Sequence, residues 1–162
     1  MKYDTPILTK IETAMCSAIA GIRKVDGYYL DWATVNEPDV VKQDFPSAEI
    51  ILESEICLDE QSTAWNMAYN QEATFNIRVR VTLENEEEVP LYEINKRLNL
   101  ALDDLKRLFG INYTLTDSCE TIMYNGAQRI VGLENDIFRP AYLETKWIVR
   151  YTQVRTDPSR YI

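Results

Sequence analysis

The sequence contains no histidine among its 162 residues. Without an imidazole, serine–histidine and cysteine–histidine nucleophiles are excluded, and so are histidine metal ligands. Glycine is scarce as well: five glycines are scattered along the chain, and neither glycine-rich phosphate-binding motif, G-x-x-x-x-G-K-S/T or G-x-G-x-x-G, occurs. The sequence therefore lacks the motifs on which much hydrolytic and nucleotide-dependent chemistry rests, and we expect no cofactor.

Cysteine is also rare. Cys16, Cys57 and Cys119 are odd in number, far apart and outside any C-x-x-C motif. This spacing disfavours a disulfide framework or a thiolate zinc site and fits a reducing compartment. We expect the three thiols to be semi-buried and to act as small hydrophobic side chains.

Basic residues are outnumbered: 17 lysines and arginines face 26 acids, which gives a net charge of −9. A domain that grips nucleic acid through its phosphates normally has a basic face and a high isoelectric point. Sequence-nonspecific gripping of DNA is therefore not expected, whereas an acidic surface could let DNA slide past without adhering.

Long apolar runs are missing too, since no stretch approaches eighteen residues, so no helix is expected to span a membrane. The length of the chain is typical of one domain. We predict a single domain over residues 1–162, with a polar C-terminal tail at 155–162.

Two segments have the periodicity of amphipathic helices. The first begins at Pro6, with Thr5 as its predicted cap, and Gly21 and Gly27 bracket its predicted end. The second covers 90–110, with Gly110 at its predicted C-terminal end. Their apolar stripes are Ile7, Ile11, Ala14, Met15, Ala18, Ile19 and Ile22 in the first, and Leu91, Ile94, Leu98, Ala101, Leu102, Leu105, Leu108 and Phe109 in the second.

The remaining segments have the pattern of strands. Strands are predicted over 28–35, 47–58, 73–83 and 141–154, and two short strands are predicted to flank a hairpin turn at Asn125-Gly126. In the second strand Ile50, Leu52 and Ile56 are expected on the buried face, and Glu49, Glu53 and Glu55 on a solvated face. The order α-β-β-β-α-β-β-β predicts an α+β fold, in which two amphipathic helices pack on one face of a mostly antiparallel sheet.

Carboxylates are the one remaining group of candidates for acid–base catalysis or for binding a hard cation. They occur as Asp59-Glu60, as Asp103-Asp104 and in the acidic run 84–88. Their spacing matches no known motif, and Asp103 and Asp104 fall on the polar side of the second helix. We therefore expect them to be solvated surface acids, and we expect neither a catalytic residue nor a metal ligand.

The connection 59–72 is longer than a hairpin needs. Trp65, Met67 and Tyr69 stand at alternate positions within it, among polar neighbours. They could fold back onto the sheet or extend the hairpin, but these residue types are also enriched at protein interfaces. Leu100, about 180° from the stripe of the second helix, is a weaker indication of the same kind, and single exposed leucines are common.

Two arginines lie on the outward face of the long strand. Arg78 and Arg80 could pair with glutamates of neighbouring strands, Glu49, Glu53 or Glu55, if those acids share that face. The alternative is that the arginines face a neighbouring subunit or a partner protein.

In the order and residue patterns of these segments, the chain resembles the tail terminator, or tail completion, proteins of long-tailed bacteriophages. The first helix runs through "AIAGIRKVDGYYLDWATV" into an aromatic strand, and a proline-led strand, "FPSAEIIL", follows. A long loop and a long alternating strand precede the helix "INKRLNLALDDLKRLFG". The last strand, "ETKWIVRYTQVRTDP", closes with Asp-Pro. The resemblance covers most of the chain.

This resemblance implies a non-enzymatic virion protein, assembled in the host cytoplasm and located in the tail and neck. It implies a homo-oligomeric ring, typically hexameric, that caps the tail tube, stops its polymerisation and presents a surface to a head-side connector protein. DNA would pass through the channel without specific binding. On this reading Trp65, Met67, Tyr69, Arg78, Arg80 and Leu100 are candidate contacts to a neighbouring subunit or to the tail tube protein.

Two other readings stay open at this point. The chain could be a head–tail connector or stopper of the same particle, since those proteins look similar at this level. It could also be a small α+β enzyme or ligand-binding domain that uses its carboxylates in a pocket.

Overall fold

The computed structural model describes residues 5–32, 34–35, 46–58, 68–81, 90–131, 141–154 and 157–161. Its helices and strands, in chain order, are α1 (Ile7–Ala20), β1 (Thr34–Val35), β2 (Ser47–Cys57), β3 (Ala68–Arg80), α2 (Leu91–Ile111), β4 (Thr121–Val131), β5 (Ala141–Val154) and β6 (Asp157–Tyr161). Neither helix combines the length and the apolar character needed to cross a membrane within these residues.

The strands form one six-stranded sheet in the order β1-β2-β3-β5-β4, and β6 pairs with the end of β5. The short β1 runs parallel to β2, and every other neighbouring pair is antiparallel. The predicted α+β class with a mostly antiparallel sheet is confirmed. The tail predicted to be merely polar contributes β6.

Both helices pack on the same face of the sheet. On β3 the side chains of Ala73, Phe75, Ile77 and Val79 are fully buried and alternate with the opposite face. Phe75 lies opposite Trp147 of β5, and the ring of Phe109 of α2 meets that indole edge to face at 4.7 Å. Each such buried side chain stabilises the fold by about 1.5–3 kcal/mol, so this face holds the core.

The helix boundaries differ slightly from those predicted. Helix α1 begins at Ile7 after Pro6, and Thr5 does not cap it, since the N-terminus has no side-chain hydrogen bond. Helix α2 continues through Gly110 to Ile111. Most of the predicted stripes are found: Ile7, Ile11, Met15 and Ile19 are buried in α1, and Ile94, Leu98, Ala101, Leu105, Leu108 and Phe109 in α2. Leu91, the first residue of α2, is 52% exposed, so its predicted place in the stripe is wrong.

The hairpin predicted at Asn125-Gly126 is wrong. Strand β4 runs unbroken from Thr121 to Val131, and its register against β5 shifts between Tyr124 and Gly126. Gly126 has a φ of 129°, which L side chains rarely adopt. A β-bulge uses the same residue types as a tight turn, and β5 is long enough to pair with both halves of β4.

A second bulge changes which side chains of β2 are exposed. The register between β2 and β3 shifts between Leu52 and Ser54, so Ile56 lies opposite Glu72 on the helix-free face. Leu52 and Ile56 are 41% and 52% exposed, so the prediction that both are buried beside Ile50 is wrong. The alternating pattern could not show that one residue is inserted at this point.

The segment predicted as a strand over 28–35 is mostly a loop, with β1 reduced to two residues. The carboxylate of Asp104 in α2 holds this loop, because it accepts hydrogen bonds from the backbone N–H groups of Tyr29 (2.8 Å) and Leu30 (3.0 Å) and from Nε1 of Trp32 (3.3 Å). Asp104 is completely buried, so its predicted solvated position is wrong, whereas Asp103 is exposed.

Candidate interface

The face of the sheet opposite the helices carries rows of charged side chains in the described residues. In one row Nη2 of Arg78 donates a hydrogen bond of 2.8 Å to Oε1 of Glu144 in β5. Nη1 of Arg78 also lies 3.6 Å from Oε2 of Glu49 in β2. The hydrogen bond to Glu144 raises the pKa of Arg78. Its guanidinium also lies 5.1 Å from the ring centroid of Tyr142. We call this surface the open face.

The next row of the open face joins Lys146 to Glu53, with Nζ 2.9 Å from Oε2. The bond from Lys146 lowers the pKa of Glu53, and Nδ2 of Asn76 adds a hydrogen bond at 3.1 Å. A third ion pair joins Arg150 to Glu72 at 3.0 Å. Since exposed ion pairs stabilise by about 0–1 kcal/mol each, these rows mainly fix side-chain positions.

The far half of β2 is exposed on both faces of the sheet. From Leu52 to Leu58 every residue is exposed, and the apolar side chains among them, Leu52, Ile56 and Leu58, are 41%, 52% and 43% exposed. The burial seen at Ala48 and Ile50 therefore ends halfway along the strand. We call residues 52–58 the β2 arm.

The β2 arm is tied to the rest of the sheet by polar contacts. Tyr151, whose ring is buried in β5, donates a hydrogen bond from its hydroxyl to Glu55. Burial, together with this bond, raises the pKa of Tyr151. The backbone N–H of Leu58 bonds the carbonyl of Asn70 in β3 at 2.9 Å. The arm is therefore an ordered strand with exposed apolar side chains.

The residues predicted as contacts lie in different places. Trp65 and Met67 lie outside the described residues. Tyr69 is half-buried near the start of β3, which begins at Ala68 and so extends the hairpin. Leu100 is half-buried in α2.

The two arginines of β3 also differ from each other. Arg78 forms the intramolecular pairs that sequence reasoning gave as one alternative, whereas Arg80 is exposed. The structure thus brings Arg78 into the charged rows of the open face. The four predicted contacts that the structure describes do not form one cluster, because Leu100 lies in α2 and Tyr69 at the opposite end of β3 from Arg78 and Arg80.

The thiols differ in exposure. Cys16 is half-buried and Cys119 is buried, and burial raises the pKa of Cys119 to about 12. Cys57, on the β2 arm, is exposed, so the expectation of three semi-buried thiols is wrong for this residue.

Of the carboxylate groups singled out in the sequence, the structure describes Asp103 and Asp104. Asp104 is committed to three N–H donors of the 29–32 loop, and Asp103 is exposed beside it. No group of three or more histidine, cysteine, aspartate or glutamate side chains suited to a metal ion occurs in the part of the chain that the structure describes. Asp59-Glu60 and the run 84–88 lie outside that part.

No protein-family model matches this sequence, and no curated protein matches it either. The candidate interface is therefore defined by the geometry of the chain itself. Sequence reasoning missed its main feature, the exposed Leu52, Ile56 and Leu58. The available signal was the polar triplet Glu53-Ser54-Glu55, which interrupts the apolar alternation of this strand.

Proposed function

We propose that this protein is a structural assembly factor of a long-tailed phage particle. Its subunits associate into a ring that caps the tail tube, ends tube polymerisation and provides the surface for head joining. The observation that carries the proposal is the β2 arm: an ordered strand whose apolar side chains at 52, 56 and 58 are 41–52% exposed. The likeness of the chain to tail terminator proteins in element order supplies the particular assembly.

The β2 arm has the properties of a contact surface. An exposed strand with apolar side chains on both faces is a liability in a monomer, because it can pair with other chains. In an assembly the same strand gains a partner and loses its contact with water. The chain that follows the arm contains Trp65 and Met67, residue types that are enriched at the centres of interfaces.

The charge of the subunit suits a ring around DNA. With a net charge of −9, a ring of such subunits carries a strongly negative potential. Phosphate would be repelled from the lining of the channel, so DNA would pass without adhering.

The test is sedimentation velocity of the full chain over a range of concentrations, alone and with assembled phage tail tubes, followed by negative-stain microscopy. We expect rings, formed by the chain alone or on the ends of tubes. Ile56→Glu should abolish them and leave the thermal melt unchanged, because Ile56 is 52% exposed. Tyr92→Glu, at a residue of α2 that is 71% exposed, is the matched control and should still form rings.

A chain that stays monomeric at every concentration, both alone and with tubes, would contradict the proposal. So would rings that Ile56→Glu and wild type form equally well, because the β2 arm would then not carry assembly. Loss of the melting transition in Ile56→Glu would show that this side chain belongs to the core.

A further inference from the structure

Strand β4 is the outer strand of the sheet. It pairs with β5 along one side, from Thr121 to Val131, and no described strand pairs with its other side. Natural edge strands are usually protected from further pairing by charged residues or proline. β4 has one charged residue, Arg129, and no proline. The guanidinium of Arg129 is hydrogen-bonded to Asn99 of α2, so it protects the edge poorly.

The opposite side of the sheet has a complementary open edge. β1 pairs with β2 only at Ser47 and Ala48, and for residues 51–57 the pairing strand within the described chain is β3 alone. β2 carries three glutamates and no basic residue, whereas β4 carries one arginine and no acid. Pairing of β2 with β2 would bring like charges together, but pairing of β2 with β4 would not.

The strand directions allow one copy to continue the sheet of the next. β2 and β4 are antiparallel to each other, because β2 is antiparallel to β3, β3 to β5, and β5 to β4. The β2 of a second copy can therefore add to β4 as an antiparallel strand with the helices of both copies on the same side. The first copy would then still have a free β2 edge and the second copy a free β4 edge, and such head-to-tail contacts close into a ring when the rotation permits.

We propose that β4 of one copy binds the β2 arm of a second copy by strand addition. This inference rests on the self-association in the proposed function and names the two surfaces that form the contact. Backbone hydrogen bonds supply affinity, and the exposed Leu52, on the helix side of the arm, and Ile56, on its open face, add apolar surface to the contact.

Cysteine cross-linking tests the contact, because Cys57 is already exposed on the β2 arm. Cys57 belongs to the helix-side face of the sheet, as do Tyr124, Ala127 and Arg129, whereas Gln128 lies on the open face. With a short bismaleimide, at least one of Tyr124→Cys, Ala127→Cys and Arg129→Cys should give a covalent dimer in the assembled protein. Gln128→Cys should not, and Cys57→Ser should remove every such cross-link.

A second variant tests the edge without a cross-linker. Ala127 is exposed on β4, so Ala127→Lys adds a guarding charge and should weaken self-association by about tenfold or more with an unchanged melt. Ser17→Lys, at an exposed position of α1, is the control and should associate like wild type.

The outcomes separate this inference from the function on which it rests. A wild-type chain that never self-associates overturns both. If wild type and Ala127→Lys assemble equally and no cross-link depends on Cys57, the strand addition is wrong and the ring still stands. Cross-links between two β4 cysteines that persist in Cys57→Ser would show symmetric β4 pairing and overturn the head-to-tail contact.

Discussion

The two faces of the sheet are built from the same strands but held by different forces. On β3, Phe75 and Ile77 are buried under the helices, whereas their neighbours Asn76 and Arg78 face the other way and join charged rows. Apolar burial stabilises the first face by kilocalories for each side chain, and the ion pairs of the second contribute little. Stability therefore lies on the helix face, and side chains on the open face can change at small cost to the fold.

The largest loss of stability is expected from a change under the helices. Asp104→Ala removes the acceptor of three N–H donors in the 29–32 loop, of which Nε1 of Trp32 is buried and the N–H groups of Tyr29 and Leu30 are partly buried. We expect a loss of about 3 kcal/mol or more in the free energy of unfolding, because each hydrogen bond to a charged group contributes about 1.5–3 kcal/mol. Urea denaturation followed by circular dichroism measures it.

Asp103→Ala is the matched control for that change, because it removes the neighbouring carboxylate at an exposed position of the same helix. Its effect should stay within about 0.5 kcal/mol. Equal losses in the two variants would mean that the loop does not depend on Asp104.

A medium effect is expected from the middle of the open face. Arg78→Met removes the 2.8 Å bond to Glu144 and should cost about 1 kcal/mol. Arg80→Met, two residues along on the same face and exposed, should cost less than about 0.5 kcal/mol. A double-mutant cycle with Glu144→Gln, at low and high salt, measures the coupling between Arg78 and Glu144. A coupling that salt does not reduce would contradict the picture of a screened surface pair.

The smallest effect is a pH dependence. The bond from Lys146 lowers the pKa of Glu53 below its ordinary 4.5 in the folded chain. Glu53 therefore contributes stability that is present above that value and is lost as the pH falls through the folded-state pKa, and Glu53→Gln should flatten stability between about pH 5 and pH 3. Denaturation at several pH values shows this. If Glu53→Gln has the same effect in a Lys146→Met background, Lys146 is not the cause.

The sequence correctly predicted the features that depend on a repeating pattern of apolar residues. The stripes of α1 and α2 and the alternation of β3 each repeat a simple pattern over many residues, so the two-helix, antiparallel α+β fold followed from them. The bulges in β2 and β4 were missed, because Asn125-Gly126 suits a tight turn as well as a bulge, and the triplet Glu53-Ser54-Glu55 interrupts the apolar alternation without showing that a residue is inserted. Because of these bulges Ile56 is exposed instead of buried, and β4 continues through Asn125-Gly126 without a turn.

Less of the candidate site than of the fold could be predicted from the sequence. Ion pairing of Arg78 was foreseen as one alternative because acids stood on neighbouring strands. The burial of Asp104 was not foreseen, because its three donors lie 72–75 positions earlier in the chain and two of them are backbone N–H groups. The roles of Trp65, Met67, Tyr69, Arg78, Arg80 and Leu100 in contacts between chains stay predictions.

The pairing of β3 with β5 has a consequence for how fast this chain reaches its native state. The central ladder joins Ala68 to Val154 at one end and Arg80 to Tyr142 at the other, and Arg78 and Glu144 are 66 positions apart. Because such distant segments must meet before either gains its hydrogen bonds, we expect refolding in milliseconds to seconds instead of microseconds. Until β5 is in place, β4 lacks the strand that orders it. Newly synthesised chains would therefore need to form the β3–β5 ladder before they meet one another.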